Sequence, residues 1–495
     1  MVYVNALDVE PIIGLEVHVQ LATRTKLLCG CPLEFGAEPN SRVCPVCLGL
    51  PGALPAINRQ AVEHAVRTAL ALGCRIAPFT KWDRKSYFYP DLPKNYQISQ
   101  YDLPLSDQGV FELPYQGRFL RVRIRRAHLE EDAGKNVHDF PGATGVDLNR
   151  AGTPLLEIVT EPDLHSADEA REFAVQLQRL VRYLGVSEAN MQKGQMRFEP
   201  NINLRIRPAD GSEVCTPIVE VKNLNSFRSL HGAIAYEIER QRAEWQATGR
   251  IAAVGNKSNR GWDDVREVTL PQREKEEAHD YRYFPDPDLV PLTTQTSWVA
   301  AIQQHMPELP APRTARFVHE YRLSEKDAPA LVDDRATADL LDHAAEAGGD
   351  KATLGKQFLS FWSRYAHERG TTIAGLGVSP GRLAELANLV AGGQINATAA
   401  AQVGEALLTS AERPLDLARQ LGILQSRDQD QIGRWVEQAV AANEQAVRDA
   451  IANPKKVKAA RGFLAGQVMK LSGGKADPKI VGELIEKRLT EIAHP

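Results

Sequence analysis

Four cysteines fall in the pattern Cys29-x-Cys31 followed by Cys44-x-x-Cys47, with Gly30, Pro32, Pro45 and Gly49 supplying turns around them. Four thiolates at this spacing suit a tetrahedral zinc ion at about 2.3 Å, and sulfur at every position makes that metal structural, with no open place for a catalytic water. Four incidental reduced thiols, or a redox pair, are the plain alternatives. Cys74 and Cys215 stand alone and read as small buried hydrophobes.

A second group of residues is rich in carboxylates. The run Ile13–Leu21 alternates strictly, so Glu16, His18 and Gln20 share one strand face at about 7 Å intervals, close enough for a carboxylate and an imidazole to hold one cation. A half-solvated strand gives the same pattern. Glu157 sits in the apolar stretch Pro154-Leu155-Leu156-Glu157-Ile158-Val159, where an unpaired charge is costly, and it therefore needs a cation. Arg121, Arg123 and Arg125 alternate with aliphatic residues and form either a solvated edge or an anion cradle. The acids that follow, Glu130, Glu131 and Asp132, are the oxygen ligands that magnesium takes beside a phosphate. The segments 83–94 and 280–284 mix bases such as Lys85 with tyrosines, as a phosphate-holding surface or a packed loop would. Between 455 and 479, seven bases (Lys455, Lys456, Lys458, Arg461, Lys470, Lys475 and Lys479) face the single acid Asp477, a local charge of +6 that fits RNA backbone contact or a solvated helix face. No Walker-type loop, dinucleotide glycine motif or kinase signature is present.

These residues need a large scaffold. The chain has 495 residues, 43% hydrophobic and 25% charged, enough for about three domains and typical of a soluble globular protein. With 59 Lys and Arg against 63 Asp and Glu the net charge is -4, so any nucleic-acid partner must use a local patch. No apolar run is long enough to cross a membrane and no signal-peptide pattern opens the chain; a cytoplasmic protein with no membrane partner is expected. From 1 to 295 short alternating strands dominate, with helices expected at 60–72 and 166–184, which predicts an α+β fold with antiparallel pairing. Prolines from 285 to 312 mark a boundary near 295, beyond which the chain turns alanine-rich and helical: one helical domain over 296–405 and another over 406–495.

The motifs Gly14-Leu15-Glu16-Val17-His18, Tyr87-Phe88-Tyr89-Pro90-Asp91, Tyr96-Gln97-Ile98-Ser99-Gln100, Glu130-Glu131-Asp132-Ala133-Gly134-Lys135, Lys222-Asn223-Leu224-Asn225-Ser226-Phe227 and Asp280-Tyr281-Arg282-Tyr283-Phe284-Pro285 together resemble the B subunit of the bacterial tRNA-dependent amidotransferases. The likeness runs from about residue 11 to the tail, where Gly462-Phe463-Leu464 and Gly466-Gln467-Val468-Met469-Lys470 are similar to the family's tRNA-binding end.

The resemblance implies a glutamine-synthetase-like cradle domain over 1–295 carrying the zinc-binding insertion at 29–47, then an all-helical domain and a helical tRNA-binding tail. It implies ATP-dependent conversion of Asp-tRNA(Asn) or Glu-tRNA(Gln) to the amide: the side-chain carboxylate is phosphorylated and ammonia then displaces phosphate. The implied magnesium ligands are Glu16, His18, Glu130 and Glu157, with Glu131 as an additional acid. Lys85, Lys135 and the arginines 121, 123 and 125 are expected to meet phosphate or transition-state charge. One motif departs from the family's Arg-Cys-Asp-x-Asn: here Arg197-Phe198-Glu199-Pro200-Asn201 lengthens the acidic arm and stiffens the backbone beside it. No glutaminase machinery is visible, so ammonia is expected from the amidase A subunit of such an enzyme, braced by its small C subunit, with an aminoacyl-tRNA synthetase as a further partner. A noncatalytic tRNA-binding scaffold is the alternative reading.

Overall fold

The computed structural model describes residues 8–208, 211–272, 281–426, 428–452 and 457–493. The chain forms two compact units, Met1–Ala311 and Pro312–Pro495.

In chain order the strands of the first unit are β1 (Asp8–Gln20), β2 (Arg75–Ile76), β3 (Phe79–Thr80), β4 (Asp83–Ser86), β5 (Tyr96–Ser99), β6 (Ser106–Tyr115), β7 (Arg118–Glu131), β8 (Lys135–Phe140) and β9 (Ala143–Asp147). They continue with β10 (Pro154–Thr160), β11 (Met196–Arg207), β12 (Val214–Cys215), β13 (Val219–Lys222), β14 (Ser258–Asp263), β15 (Val268–Pro271), β16 (Phe284–Pro285) and β17 (Leu292–Thr293). Ten of them make one sheet in the order β15-β14-β13-β11-β1-β10-β7-β6-β2, with β12 beside β11. Every pairing in it is antiparallel except β13 with β14, so the expected antiparallel sheet is a mixed one.

The sheet is two-faced because its strands alternate. Ile13, Leu15, Val17 and Val19 of β1, Phe198 and Ile202 of β11 and Leu156 and Ile158 of β10 are buried on one side. Three helices cover that side: α1 (Arg59–Ala71), α2 (Ala167–Tyr183) and α3 (Phe227–Thr248). Each helix starts at a side-chain cap, Asn58, Ser166 and Ser226 respectively, that accepts a backbone N–H of the first turn. Phe173, Leu177 and Val181 recur at helical spacing along α2 and are fully buried, each contributing about 1.5–3 kcal/mol. The other face carries Glu16, His18 and Gln20 on β1 and Arg197, Glu199 and Asn201 on β11.

Strict alternation fails on β7, and the failure matters. Val159 pairs with Arg126 but Thr160 pairs with Ile124, so Arg125 is an extra residue, a β-bulge. Leu120, Val122 and Ile124 face the core before it and Ala127 and Leu129 after it. The bulge thereby turns His128 and Glu130 onto the polar face that the arginines occupy.

The first unit runs past the proline-marked boundary near 295 because Ile302, on the helix Thr296–Gln304, is buried in its core, with Trp298, Met306 and Leu309 packed alongside. The second unit is helical among the described residues. Its last four helices, Gln429–Ala442, Glu444–Ala452, Val457–Leu471 and Pro478–Ala493, share a core of Ile432, Val436, Leu464, Val468, Val481 and Ile485. Among the described residues no helix is long and apolar enough to cross a membrane.

Candidate active site and metal centres

Three strands converge on the carboxylate cluster. In the ladders of β1, β10 and β7, His18 lies opposite Glu157, and Glu157 opposite His128. One ligand atom from each of His18, Glu130 and Glu157 falls within a 4.8 Å group. His18 Nε2 lies 3.6 Å from Glu130 and 3.8 Å from Glu157, and His128 Nε2 lies 3.2 Å from Glu157. His128 is a member of this cluster that sequence reasoning did not single out; its only signal was its place in the register.

The electrostatics follow from burial. Burial pushes Glu130 up, to about 8, and the neighbouring Glu157 carboxylate adds to the effect. Burial also opposes ionisation of Glu157, yet His128, His18 and Lys85 outweigh it and hold that carboxyl well below the usual range. Burial lowers His18, against the pull of Glu157 and Glu199, which favours the neutral imidazole that a metal ligand must be. Burial disfavours the Lys85 ammonium, but Glu130, Tyr283 and Glu157 prevail and keep it firmly charged. Lys85 lies 5.0 Å from the centre of the Tyr281 ring, and Tyr283 stacks on Tyr101 at 4.2 Å, giving the cluster an aromatic wall. Asp280, from the same sequence motif, lies outside the described residues.

A cation fits this donor set. One imidazole and two carboxylates converge, and Nδ1 of His18 and Oε2 of Glu130 are buried without a hydrogen-bond partner among the described residues.

The other expected residues are distributed around the cluster. Glu16 shares the strand face but accepts a 2.9 Å hydrogen bond from Asn201, and it is not in the three-residue group; burial raises its pKa and Glu157 adds to the shift. Glu199 lies opposite Glu16 in register and pairs with Lys222 at 2.5 Å. Lys222 also holds Glu220 at 2.6 Å. Glu131 follows Glu130 and so points to the opposite face, where Lys94 meets it at 2.5 Å and the Ile98 N–H donates to it at 3.1 Å. Lys135 is exposed at the start of the β8–β9 ribbon. Gly134 before it is required by close approach, since a Cβ there would lie 2.9 Å from the Asp147 carbonyl oxygen. Arg121, Arg123 and Arg125 pair with Glu112, Asp163 and Glu161 at 2.8, 2.6 and 2.9 Å. Asp132, legible in the sequence only as one of a run of acids, accepts from Gln20 at 2.7 Å and Arg197 at 3.0 Å, with Arg150 at 3.7 Å.

The four thiols of Cys29, Cys31, Cys44 and Cys47 lie within 4.8 Å of one another and none is in a disulfide. The backbone N–H of Cys44 donates to the Cys47 sulfur at 3.1 Å, and the fully buried Lys26 ammonium lies 3.6 Å from the same atom. A Cys₄ set of this kind fits zinc. In the tail, Lys458, Lys470, Lys475 and Lys479 are exposed, whereas Arg461 pairs with Glu486 at 3.2 Å. Lys455 and Lys456 lie outside the described residues.

The model of the GatB/GatE catalytic domain matches residues 11–300, and that of the GatB domain matches 339–489. The B subunit of aspartyl/glutamyl-tRNA(Asn/Gln) amidotransferase from Moorella thermoacetica is 44% identical over 486 residues, covering 98% of this chain and 100% of the relative. The proteins of that name from Thermodesulfovibrio yellowstonii and Caldicellulosiruptor saccharolyticus are each 42% identical, covering 97% and 98% of this chain and 99% and 100% of their own. The motifs, the two domain matches and the near-complete coverage agree: the chain belongs to the family of aspartyl/glutamyl-tRNA(Asn/Gln) amidotransferase B subunits.

Proposed function

We propose that this chain is the synthetic component of an ATP-dependent ligase that converts Asp-tRNA(Asn) or Glu-tRNA(Gln) to the amide. The observation that carries the reading is the convergence of His18, Glu130 and Glu157 beside the charged Lys85 on one face of the sheet. A phosphoryl transfer asks the protein mainly to position reactants and to neutralise charge. Glu130, Glu157 and His18 would hold magnesium, which neutralises phosphate charge when bound. Lys85 would meet the phosphoryl oxygens or the acceptor carboxylate with a fixed positive charge, and the tyrosines around it exclude water from an acyl phosphate that water would otherwise consume. Ammonia then attacks the acyl carbon and phosphate leaves. Glu16, on the same strand face, is proposed as a further magnesium ligand, Lys135 and Glu199 as supporting the chemistry at its rim, Glu131 as acting only from the opposite face through its pairing with Lys94, and the arginines 121, 123 and 125 as steering phosphate.

The cysteine cluster would hold a structural zinc. Ammonia would come from the glutaminase (amidase) A subunit, with the small C subunit and an aminoacyl-tRNA synthetase as further partners, in a cytoplasmic complex. The helices from about 406 onward would bind the tRNA, chiefly through Lys455, Lys456, Lys458, Arg461, Lys470 and Lys475. The test is stoichiometric: with partners, misacylated tRNA, ATP and ammonium, phosphate and amide should appear one for one, and Glu130→Ala should abolish both while tRNA still binds. A chain that serves only as a scaffold would keep transamidation in that variant.

A further inference from the structure

We propose that a cavity on the helix-covered side of the large sheet, opposite the carboxylate cluster, binds a phosphate-type oxyanion. The cavity measures about 180 Å³ and is bounded by the C-terminal half of α3 and by β13, β14 and β15. That is about six times the share of one liquid water molecule, room for a phosphate and a few waters. It lies on the other side of the sheet from the proposed chemistry because Val219 and Arg260 line it, whereas Glu220 on β13 points to the polar face.

Charge decides what fits. Arg240, Arg250 and Arg260 all line the cavity. Two acids answer them: the fully buried Glu237 and the lining residue Glu244. Arg240 spends its donors on both, 2.9 Å from Glu237 and 2.7 Å from Glu244. Arg260 reaches Glu237 at 3.0 Å and gives its other bonds to Thr269, which leaves its Nη1 without a partner among the described residues. Arg250 touches Glu244 only at 3.5 Å. Among the described residues one guanidinium charge is therefore uncompensated, and N–H donors on two arginines have no partner there. Burial, and after it the facing Arg240, lowers the pKa of Arg260. Ser258, in register with Val219, adds a neutral polar group to the wall. A planar fork facing a polar recess is the arrangement that takes phosphate oxygens two at a time.

The probe is inorganic phosphate, titrated against the full chain without magnesium and compared with chloride at equal ionic strength. Phosphate should raise the thermal midpoint and chloride should not. Arg250→Ala removes a half-exposed guanidinium with one weak contact and should weaken phosphate binding about ten-fold. Glu244→Gln adds a net positive charge and should tighten it, an outcome that a folding defect does not mimic. Arg228→Ala, an exposed arginine at the start of the same helix paired with Glu267, serves as the unchanged control. If the phosphate belongs to RNA, Arg250→Ala also weakens tRNA binding and free phosphate competes with tRNA; if it is free phosphate, tRNA affinity stays at the parental value. No phosphate-specific stabilisation, or an equal response in the parent, Arg250→Ala and Glu244→Gln, overturns the proposal.

Discussion

Glu157→Gln keeps the shape of the side chain and removes one charge from the carboxylate cluster. At the roughly 4 Å separations found here and an effective dielectric of about 20, one unit charge is worth about 4 kcal/mol to a cation in the cluster. Glutamine is cheaper to bury than the carboxylate, so a net loss of about 3 kcal/mol, or about a hundred-fold in rate, is the working figure. The fold should survive the change. Glu157 is one reason that Glu130 is pushed up to about 8, so neutralising residue 157 lets Glu130 ionise more readily and face Lys85 in its place. The assay is amide formation and ATP cleavage by the assembled enzyme with misacylated tRNA and free ammonia. Both should fall by about two orders of magnitude while tRNA binding and the partner's glutaminase activity remain. Amide formation at the parental rate would refute the assignment of the cluster.

Purified chain should contain about one zinc ion, and Cys44→Ser should lower that content together with the thermal midpoint; full stability in a metal-free preparation would end that idea. Reversing Lys458 and Lys470 to Glu should raise the apparent tRNA constant and flatten its logarithmic salt slope by about two, and an unchanged slope would move the tRNA surface elsewhere. Burial opposes ionisation of Glu220, but Lys222 and Lys257 hold it at about 2 against an ordinary value of 4.5, so its charge stabilises the fold above pH 4.5 and that stability is lost as pH falls towards 2. The difference amounts to about 3 kcal/mol, and Glu220→Gln should flatten acid unfolding in that window while a parental acid limb would contradict the pairing.

What could be read from the sequence depended on whether the information was local. The two faces of β1 were legible because the strand alternates without interruption, and the cysteine group because its spacing is itself the signal. The bulge at Arg125 was not legible, since it is defined by pairing with β10, and strict alternation across it would have put Glu130 on the apolar side. His128 was missed for the same reason: only the register sets it opposite Glu157. Glu131 is a different case, because its adjacency to Glu130 already implies the opposite face, where Lys94 holds it. The prolines after 285 did mark a change of composition, but the burial of Ile302 carries the first unit on to Ala311.

Charge accounting on the polar face explains why one part of it, and not the rest, calls for a metal. Glu199 and Glu220 are matched by Lys222 and Lys257. Asp132 is matched by Arg197 and Arg150, and although burial works against its ionisation those guanidiniums keep its carboxyl below the usual range. Glu16, Glu130 and Glu157 remain, with Lys85 as the permanent cation beside them and a His18 that burial biases towards neutrality. If all three acids ionise, their negative charge exceeds that of Lys85 even with His128 set against Glu157, and a bound cation offsets that excess. The raised pKa of Glu130 expresses the same deficit by another route: without the cation, a proton supplies part of the missing positive charge. Such a cation must therefore displace that proton, and its affinity should climb with pH until Glu130 ionises unaided near pH 8. Magnesium titrations across pH 6 to 9 read this directly, and an affinity independent of pH over that range would separate the metal from Glu130.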